Sequence, residues 1–538
     1  MKKILLFLFI LVAPVMLQTA SAQSGFPFFR SFLDGKTDDI KFPAGSNGRV
    51  NSTNESSVTN RGLILTTQTS QVGAFFLPNH LFTTSNGMLI EFEYMMYYTD
   101  PPGSGNTREL TDGICMFLVD ATNGTYIGNN LRFGADGAGF GYTNRYSFNS
   151  YYDQLILTPG IKGGYLAVAL DQGPFKTIRM DGTDMRNGIP YGPTGIPGRE
   201  ITSTKNVAYD TRSNVTIRGA AGRNAMNFSG NKFTSSLPEG NWGYPVLVTR
   251  HTGGSEDSDG KRNTTGFVLN ATTGEYDAST FNNSSVTPTI EEPFDIAGGS
   301  DFGYKSNSSY RKVIIALTPN SNEDGFHITV TIQHGSEKTV VVDGFSYVSD
   351  TYYMENVIPS GQLSGWPTAY KDSPKHQLNV TTPERLAIGF TASTGTVTNY
   401  TNVIKNLRIT MMGAAESIND IIENHRRGPV TVLPLENDLA YKSTLGEPSK
   451  ENIDPDSFRF RKDEEIWNPS DNPYELITSD GKWLYDPDTK EVMFFPIQGF
   501  KGIVTAMYDV NSLEHKNDDN YRSSIAKIIV DINDYQPN

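Results

Sequence analysis

Cysteine is almost absent from this chain, since Cys115 is the only one among its 538 residues. A single thiol excludes an intrachain disulfide and a cysteine-rich metal site. Cys115 stands between Ile114 and Met116, so we expect a buried, unreactive thiol rather than a nucleophile. The seven histidines form no H-E-x-x-H pattern, and neither G-x-S-x-G nor a P-loop occurs. The sequence therefore carries none of these catalytic motifs.

Basic clusters are missing as well, and charge is spread along the chain. The 45 Lys and Arg are outnumbered by 59 Asp and Glu, which gives a net charge of −14. This balance disfavours nucleic acids and anionic membranes as partners. One apolar run, residues 4–16, follows two lysines and precedes the A-S-A at 20–22, which predicts a signal peptide over 1–22. No later segment is apolar enough to span a membrane. We expect an exported protein that is periplasmic, at the cell surface or secreted.

Clear amphipathic helices are also lacking up to about residue 412, and short strand-like runs separated by polar turns take their place. Residues 88–97 alternate apolar and polar side chains, while 113–119 are almost continuously apolar, as in a strand buried on both faces. Residues 385–393 predict a last strand that leads into a small polar loop. Many short strands without helices predict an all-β, antiparallel sandwich.

The chain is too long for one small core, and its texture changes near residue 412, so we expect two domains. The predicted parts are a signal peptide at 1–22, a first sandwich at 23–412 with long inserted loops at about 181–210 and 219–310, a linker at 413–429 that includes the most helix-like stretch (414–425), and a smaller sandwich at 430–538.

Five segments of the first sandwich share a recognisable pattern. They are T-D-G at 111–113, G-A-G-F-G-Y at 137–142, G-Y-L-A-V-A-L-D at 164–171, N-V-T-I-R-G at 214–219 and G-F-T-A-S-T-G at 389–395. In this order they resemble the motifs of legume-type (L-type) lectins, in the form found in exported bacterial proteins of Bacteroidetes type. The resemblance implies a concanavalin-A-like antiparallel β-sandwich (jelly roll) that binds carbohydrate and is not an enzyme.

The C-terminal part shows a second, less specific pattern. V-T-V-L-P-L-E-N-D at 430–438, Y-D-P-D at 485–488 and G-F-K-G at 499–502 resemble bacterial Ig-like or cadherin-like repeats. This resemblance implies a smaller Ig-like β-sandwich after the lectin-like one.

The lectin resemblance also assigns a sugar site. In that family a carboxylate, backbone N–H groups and an aromatic ring converge on one sugar, which matches the hydrogen-bonding and apolar faces of a pyranose. Asp112 is as compatible with capping a strand end as with binding a ligand, and Phe175 is as compatible with ordinary packing. The matched positions are Asp112 for the carboxylate, Ala138 and Gly139 for the backbone donors, Phe175 for the ring, and Thr396, Thr398 and Asn399 for the specificity loop.

Metal ligands are implied by the same resemblance. Asp171 matches the family's metal-binding aspartate, which makes Ca2+ the expected ion. Ala169 stands where the family has a glutamate that binds manganese, so Mn2+ is not expected. The family's metal-binding asparagine falls at Phe175, or at Pro174 if one residue is deleted.

Three classes of function follow from these patterns. The favoured one is a non-catalytic carbohydrate-binding protein whose partners are oligo- or polysaccharides. The alternative is a structural or adhesive protein that uses the lectin-like fold to contact other surface proteins. A glycan hydrolase would need paired carboxylates on one strand. Glu91 and Glu93 share a strand face, but the pattern places both on the solvent side and supplies no third carboxylate.

Overall fold

The computed structural model describes residues 26–43, 56–98, 113–122, 133–134, 139–143, 145–149, 154–158, 160–172, 213–222, 243–253, 264, 266–274, 286–298, 308–354, 375–394, 399–425, 428–442, 448–462, 471–523 and 525–532. Within these residues the chain forms β-strands and a few short 3-10 helices. None of the described residues forms a helix with the length and apolar character that a bilayer crossing requires.

The first unit contains nineteen of the strands found in the described residues. They are β1 Phe28–Arg30, β2 Ser57–Thr59, β3 Gly62–Thr66, β4 Val72–Thr83, β5 Met88–Tyr98, β6 Gly113–Asp120, β7 Arg145–Asn149, β8 Gln154–Thr158, β9 Gly164–Asp171, β10 Asn214–Arg218, β11 Val246–His251, β12 Gly266–Val268, β13 Arg311–Pro319, β14 Gly325–His334, β15 Glu337–Val348, β16 Tyr352–Met354, β17 Lys375–Gln377, β18 Arg385–Ser393 and β19 Tyr400–Thr410.

Two large sheets are built from these strands. The front sheet has the order β12-β11-β10-β9-β6-β18-β4, and the back sheet has the order β15-β14-β13-β5-β19-β3-β2, with β1 also paired to β19. All pairings within both sheets are antiparallel in the described residues. The strand β18 is not the last of the unit, because β19 follows it and occupies the middle of the back sheet.

Large apolar side chains join the two sheets. Phe390 of β18 stacks on Phe75 of the neighbouring strand β4, with ring centroids 5.1 Å apart. Phe390 also meets Phe92 of the back-sheet strand β5 edge-on, at 4.9 Å between centroids. Burial of such rings provides much of the free energy that holds two layers together. The predicted all-β antiparallel sandwich is therefore confirmed.

The second unit is a smaller sandwich around its own core, which includes Trp483 and Phe494. Its sheets have the orders β21-β29-β28-β24 and β22-β27-β26-β25. The strands are β20 Ala415–Glu416, β21 Asp420–His425, β22 Val430–Val432, β23 Leu439–Ala440, β24 Ile453–Arg461, β25 Glu475–Ile477, β26 Gly481–Asp486, β27 Glu491–Pro496, β28 Gly502–Ser512 and β29 Ala526–Ile532, with 3-10 helices at Pro434–Glu436, Lys450–Asn452 and Asp519–Tyr521.

The stretch expected to be a linker or short helix differs from the prediction. Within 413–429, β20 pairs with β23 and β21 pairs in parallel with β29. Pairing with strands far along the chain gives these residues partners for their backbone groups, and this tertiary context overrides a local helical preference. Residues 415–425 therefore belong to the second sandwich.

The predicted inserted loop at about 219–310 also contains sheet. The strands β11 and β12 extend the front sheet beyond β10. Short strands in a Gly-, Ser- and Asn-rich stretch carry a weak periodic signal, which is why the sequence pattern did not predict them. The predicted loop at about 181–210 lies outside the described residues.

Tyr441 of the second unit is buried against the back sheet of the first. Its ring belongs to an apolar cluster with Leu89, Ala316 and Met412, and its hydroxyl donates to Glu91 Oε2 at 2.8 Å. The guanidinium of Arg408 lies 5.5 Å from the ring centroid. These contacts join the two units through one partly polar interface.

Glu91 is therefore not on the solvent side, as the alternation of β5 predicted, but is only 3% exposed. Burial opposes ionisation of its carboxyl, yet Lys312 at 2.7 Å from Oε1 and Arg408 at 3.8 Å from Oε2 hold the pKa of Glu91 below its usual value. The carboxylate is thus charged and surrounded by donors, as a buried charge must be.

We expect Tyr441→Phe to lower the free energy of unfolding by about 1.5–3 kcal/mol, because a hydrogen bond to a buried charged group is lost. The measurement is urea unfolding of the mature protein. Tyr474→Phe is the control, since that hydroxyl donates to the carbonyl of Asp456 at the surface, and its loss is expected to cost less than about 1 kcal/mol. Equal losses in the two variants would contradict a special role for Tyr441.

A second buried acidic group lies inside the smaller sandwich. Asp438, the last residue of the N-D motif, accepts from the backbone N–H of Ile418 at 2.7 Å and from the hydroxyl of Tyr508 at 3.0 Å. The same hydroxyl lies 3.2 Å from Asp420 Oδ2. Burial raises the pKa of Asp438 to about 8 and that of Asp420 to about 7. The aspartate of the motif is therefore a structural group that ties the segment before β21 to β28.

These raised pKa values predict how stability depends on pH. The folded protein keeps protons on this pair that the unfolded chain releases near pH 4, so their contribution is present at low pH and is lost as pH rises through about 7 to 8. We expect Asp438→Asn, which keeps an oxygen acceptor, to weaken the fall in melting temperature between pH 5 and 9. Asp488→Asn, in an exposed turn, is the control and should leave the wild-type pH profile unchanged.

Candidate functional site

Six strand ends meet at one end of the front sheet. At this end, one residue of each strand is paired with one residue of the next strand. The six residues paired in this way form a row across the sheet, which we call the rim row. Its members are His251, Asn214, Asp171, Gly113, Ser393 and Val72. The adjacent residues Leu170, Ile114 and Ala392 belong to the hydrophobic core. Since side chains alternate along a strand, the rim row faces away from that core.

The rim row brings together strand ends that the sequence analysis singled out. Asp171 is itself in the row, Gly113 directly follows Asp112, and Ser393 directly precedes the predicted specificity loop. The predicted site residues Asp112, Ala138, Phe175, Thr396 and Thr398 lie outside the described residues.

The glycine-rich loop lies against the same face. Thr391 lies on the same face of β18 as Ser393, two residues before it. Its hydroxyl donates to the carbonyl of Phe140. A Cβ placed on Gly113 would lie 3.3 Å from Cε1 of Phe140. Tyr142 donates to the carbonyl of Gly219 at 2.9 Å. Gly139, the described member of the predicted donor pair, therefore belongs to a loop held on top of the rim.

Gly141 shows why this loop is rich in glycine. Its φ is +67°, a conformation that L side chains rarely adopt, and a Cβ there would lie 2.7 Å from Cγ2 of Thr391. The loop can approach the sheet this closely only with glycine at this position.

Both described ends of the specificity loop are fixed on the turn that joins β3 and β4. The hydroxyl of Thr394 donates to the carbonyl of Gln68 at 2.6 Å and accepts from the N–H of Gln71 at 3.0 Å. Asn399 Oδ1 accepts from the N–H of Thr69 at 3.0 Å. Asn399 thus positions the loop through its carboxamide oxygen, a role that the sequence did not predict.

Asp171 is fully buried at the rim. Its Oδ2 accepts from the hydroxyl of Thr216 at 3.4 Å, and Thr216 is in turn 2.9 Å from the hydroxyl of Thr249. The next residue, Gln172, donates to Asp295 Oδ1 at 3.1 Å, which fixes the chain directly after β9. The carboxylate thus has a described hydroxyl donor.

Two residues away from the rim row, on the same face, the side chain is polar on β10 and small on β9 and β6. Thr216 and Cys115 are the Cα partners of Ala169 on its two sides. Cys115 is fully buried, and burial raises the pKa of its thiol well above the usual value. The prediction that the cysteine is buried is confirmed.

Arg218 is a functional candidate that the sequence analysis did not single out. It lies on the same face of β10 as Thr216, is 2% exposed, and donates from Nη1 to the carbonyl of Tyr244 at 2.7 Å. The signal in the sequence was polar alternation, N-x-T-x-R, within a strand whose intervening residues are apolar.

The described residues do not fit the calcium site that the resemblance implies. Ca2+ takes six to eight oxygen ligands, usually from several carboxylates. In the part of the chain that the structure describes, no group of three or more His, Cys, Asp or Glu could hold a metal ion. The methyl group of Ala169 supplies no ligand where the family has a glutamate. Asp171 is the one predicted ligand that the structure places at the rim.

The chain matches no family model and no curated protein. Among solved structures it is similar to the metal-free form of lectin I-B4 from Griffonia simplicifolia, with 12% identity over 71% of this chain and 98% of that chain, at a TM-score of 0.29. It is also similar to the potassium-bound carbohydrate recognition domain of Emp46p (9% identity, 72% and 96% coverage, TM-score 0.29). A third is the exoplasmic/lumenal domain of VIP36 in its Ca2+/Man-bound form (10%, 70% and 84%, 0.26). Similarity at this level does not assign a ligand.

We expect Gly141→Ala to destabilise the glycine-rich loop, because the new Cβ meets Thr391 in addition to adopting a positive φ. Gly344→Ala is the matched control, since its φ is +59° but nothing lies within 4 Å of the added Cβ. The control should lose about 1–2 kcal/mol from backbone strain alone, and Gly141→Ala should lose more. Thermal unfolding of both variants measures this, and equal losses would mean that the loop does not pack on Thr391.

Proposed function

We propose that this protein is an exported, non-catalytic carbohydrate-binding protein that recognises glycans through the loops at the rim row. The observation that supports this is the register of the front sheet. It sets Gly113, Asp171 and Ser393 on three adjacent strands, with the glycine-rich loop lying on Gly113. The residues next to these positions are the ones that the lectin resemblance assigns to a sugar.

The chemistry of such a site suits a sugar. A carboxylate accepts hydrogen bonds from neighbouring hydroxyls, backbone N–H groups donate to a third hydroxyl, and an aromatic ring covers the C–H face. In the proposal the carboxylate is that of Asp112, the N–H groups are those of Ala138 and Gly139, and the ring is that of Phe175. Thr396, Thr398 and Asn399 would set specificity.

Glycan hydrolysis is not part of the proposal, because the one carboxylate pair that shares a face of β5 is engaged in structural contacts. Glu91 lies under Tyr441 and beside Lys312. Glu93 lies 3.2 Å from Lys405 and accepts from the hydroxyl of Tyr310 at 3.1 Å. A glycosidase needs one carboxyl free to donate a proton and another free to attack or to activate water. Export by the segment 1–22 would place the protein in the periplasm, at the cell surface or in the medium.

An adhesive protein that binds other surface proteins is the second candidate. One feature of the smaller sandwich favours it. Ile477 and Phe495 flank Lys482 on neighbouring strands of its outer face and are 71% and 37% exposed, and Ile497 is 53% exposed. Exposed apolar residues gathered on one face are typical of protein-binding surfaces.

The test is a glycan array probed with the mature protein, residues 23–538, followed by titration of the best ligand. We expect Asp112→Ala to weaken that binding at least about tenfold, because a hydrogen-bonded charged group is removed. Asp120→Ala, at the opposite end of the same strand, is the control. Its carboxylate accepts from the N–H of Thr122, and the variant should retain wild-type affinity.

No binding to any glycan would reject the carbohydrate-binding function and favour the adhesive one. Equal affinity of the two aspartate variants would mean that a glycan binds elsewhere than at the rim. Release of free sugar from a bound glycan would show that the protein is an enzyme.

A further inference from the structure

Two threonine hydroxyls form a continuous link to Asp171 across the front sheet. Thr249 Oγ1 lies 2.9 Å from Thr216 Oγ1, and Thr216 Oγ1 donates to Asp171 Oδ2 at 3.4 Å. All three side chains are at most 1% exposed. A buried carboxylate needs hydrogen-bond donors or a nearby positive charge, since its desolvation is otherwise unfavourable. The hydroxyls of β10 and β11 supply part of that requirement from within the protein.

Thr216 lies beside a position that would bind metal in the lectin pattern. Thr216 is the direct Cα partner of Ala169, the residue that stands where the lectin pattern has a metal-binding glutamate. At this point of the sheet, a neutral hydroxyl donor is therefore next to a methyl group. A divalent cation at this point would be held by carboxylate, carbonyl or water oxygens, whereas a hydroxyl that donates to Asp171 serves the carboxylate itself.

Arg218 lies two residues beyond Thr216 on the same face of β10 and is 2% exposed. Its Nη1 donates to the carbonyl of Tyr244 at 2.7 Å. A positively charged side chain is therefore fixed on the face that carries Asp171, so this face already holds a positive charge without an ion.

We propose that Thr216, supported by Thr249, holds Asp171 in place of a divalent cation, so that the rim site needs no metal. Thr216 is thus a positioning residue that acts through Asp171. The inference rests on the proposed function only in taking the rim as the ligand site. Its structural part, the metal-independent support of Asp171, can be measured without any ligand.

The first experiment measures metal dependence on the mature protein. Metal content after dialysis is determined by mass spectrometry, and melting temperature is recorded with EDTA, with CaCl2 and with MnCl2. We expect less than one bound metal per ten chains and melting temperatures that agree within about 1 °C, because an ion that does not bind the native state cannot stabilise it. One Ca2+ per chain, or a melting temperature that falls by several degrees in EDTA, would overturn the proposal.

The second experiment tests Thr216 by substitution. Thr216→Val keeps the shape of the side chain but removes the hydroxyl, and Thr216→Ser keeps the hydroxyl. We expect Val to lower the melting temperature by about 2–4 °C and Ser to restore most of it. If Thr216 acts through Asp171, Thr216→Val should cost much less in an Asp171→Asn background, as a double-mutant cycle measures. Additive losses would contradict the proposed link.

Thr329→Val is the matched control for ligand binding. Thr329 is a buried threonine of the back sheet whose hydroxyl accepts from the N–H of Gly344 at 2.9 Å. The Thr329→Val variant should lose stability without losing affinity, whereas Thr216→Val should lower the affinity for the best array ligand several-fold. If no glycan binds at all, the carbohydrate function fails, and the metal measurements with the double-mutant cycle still decide the present inference. Equal affinities of the two valine variants would reject a positioning role for Thr216.

Discussion

The antiparallel register of the front sheet is the constraint on which the candidate site depends. Because side chains alternate along each strand, the pairing of Gly113 with both Asp171 and Ser393 puts the rim on one face and Leu170 in the core. A slip of one residue in β9 would bury Asp171 among apolar side chains and move Leu170 to the polar face. The hydrophobic core and the polar rim are therefore stabilised by the same register.

Polar groups on the outer face of this sheet are buried, and each needs partners other than water. The threonines of β10 and β11 donate toward Asp171, Arg218 donates to the carbonyl of Tyr244, and Thr391 donates to Phe140. These contacts tie covering loops to specific positions on the strands. The same hydrogen bonds that satisfy the buried groups thus hold the loops that would bind a ligand.

The two sandwiches are joined by an interface that is partly apolar and partly charged. Tyr441 inserts its ring among Leu89 and Met412 and satisfies Glu91, which Lys312 and Arg408 keep ionised. A buried carboxylate with one donor from the other unit makes the contact specific, because separation of the units would leave it with an incomplete set of donors. The second sandwich is attached to the back sheet, whereas the rim belongs to the front sheet. Within the second sandwich, the hydroxyl of Tyr508 donates to Asp438.

Local patterns determined the strands and their faces. Strands were predicted from the apolar run at 113–119 and from the alternating side chains at 88–97 and 385–393. This was possible because the side-chain period of two is a property of a few consecutive residues. Through the lectin resemblance, the order of short motifs also predicted that Asp112, Asp171 and the specificity loop lie in one neighbourhood. Only the tertiary structure decided that Thr216 donates to Asp171, that Asn399 holds Thr69 and that Tyr441 covers Glu91. These partners are 45, 330 and 350 residues apart, and contacts at such separations arise from sheet register and packing, which no local pattern specifies.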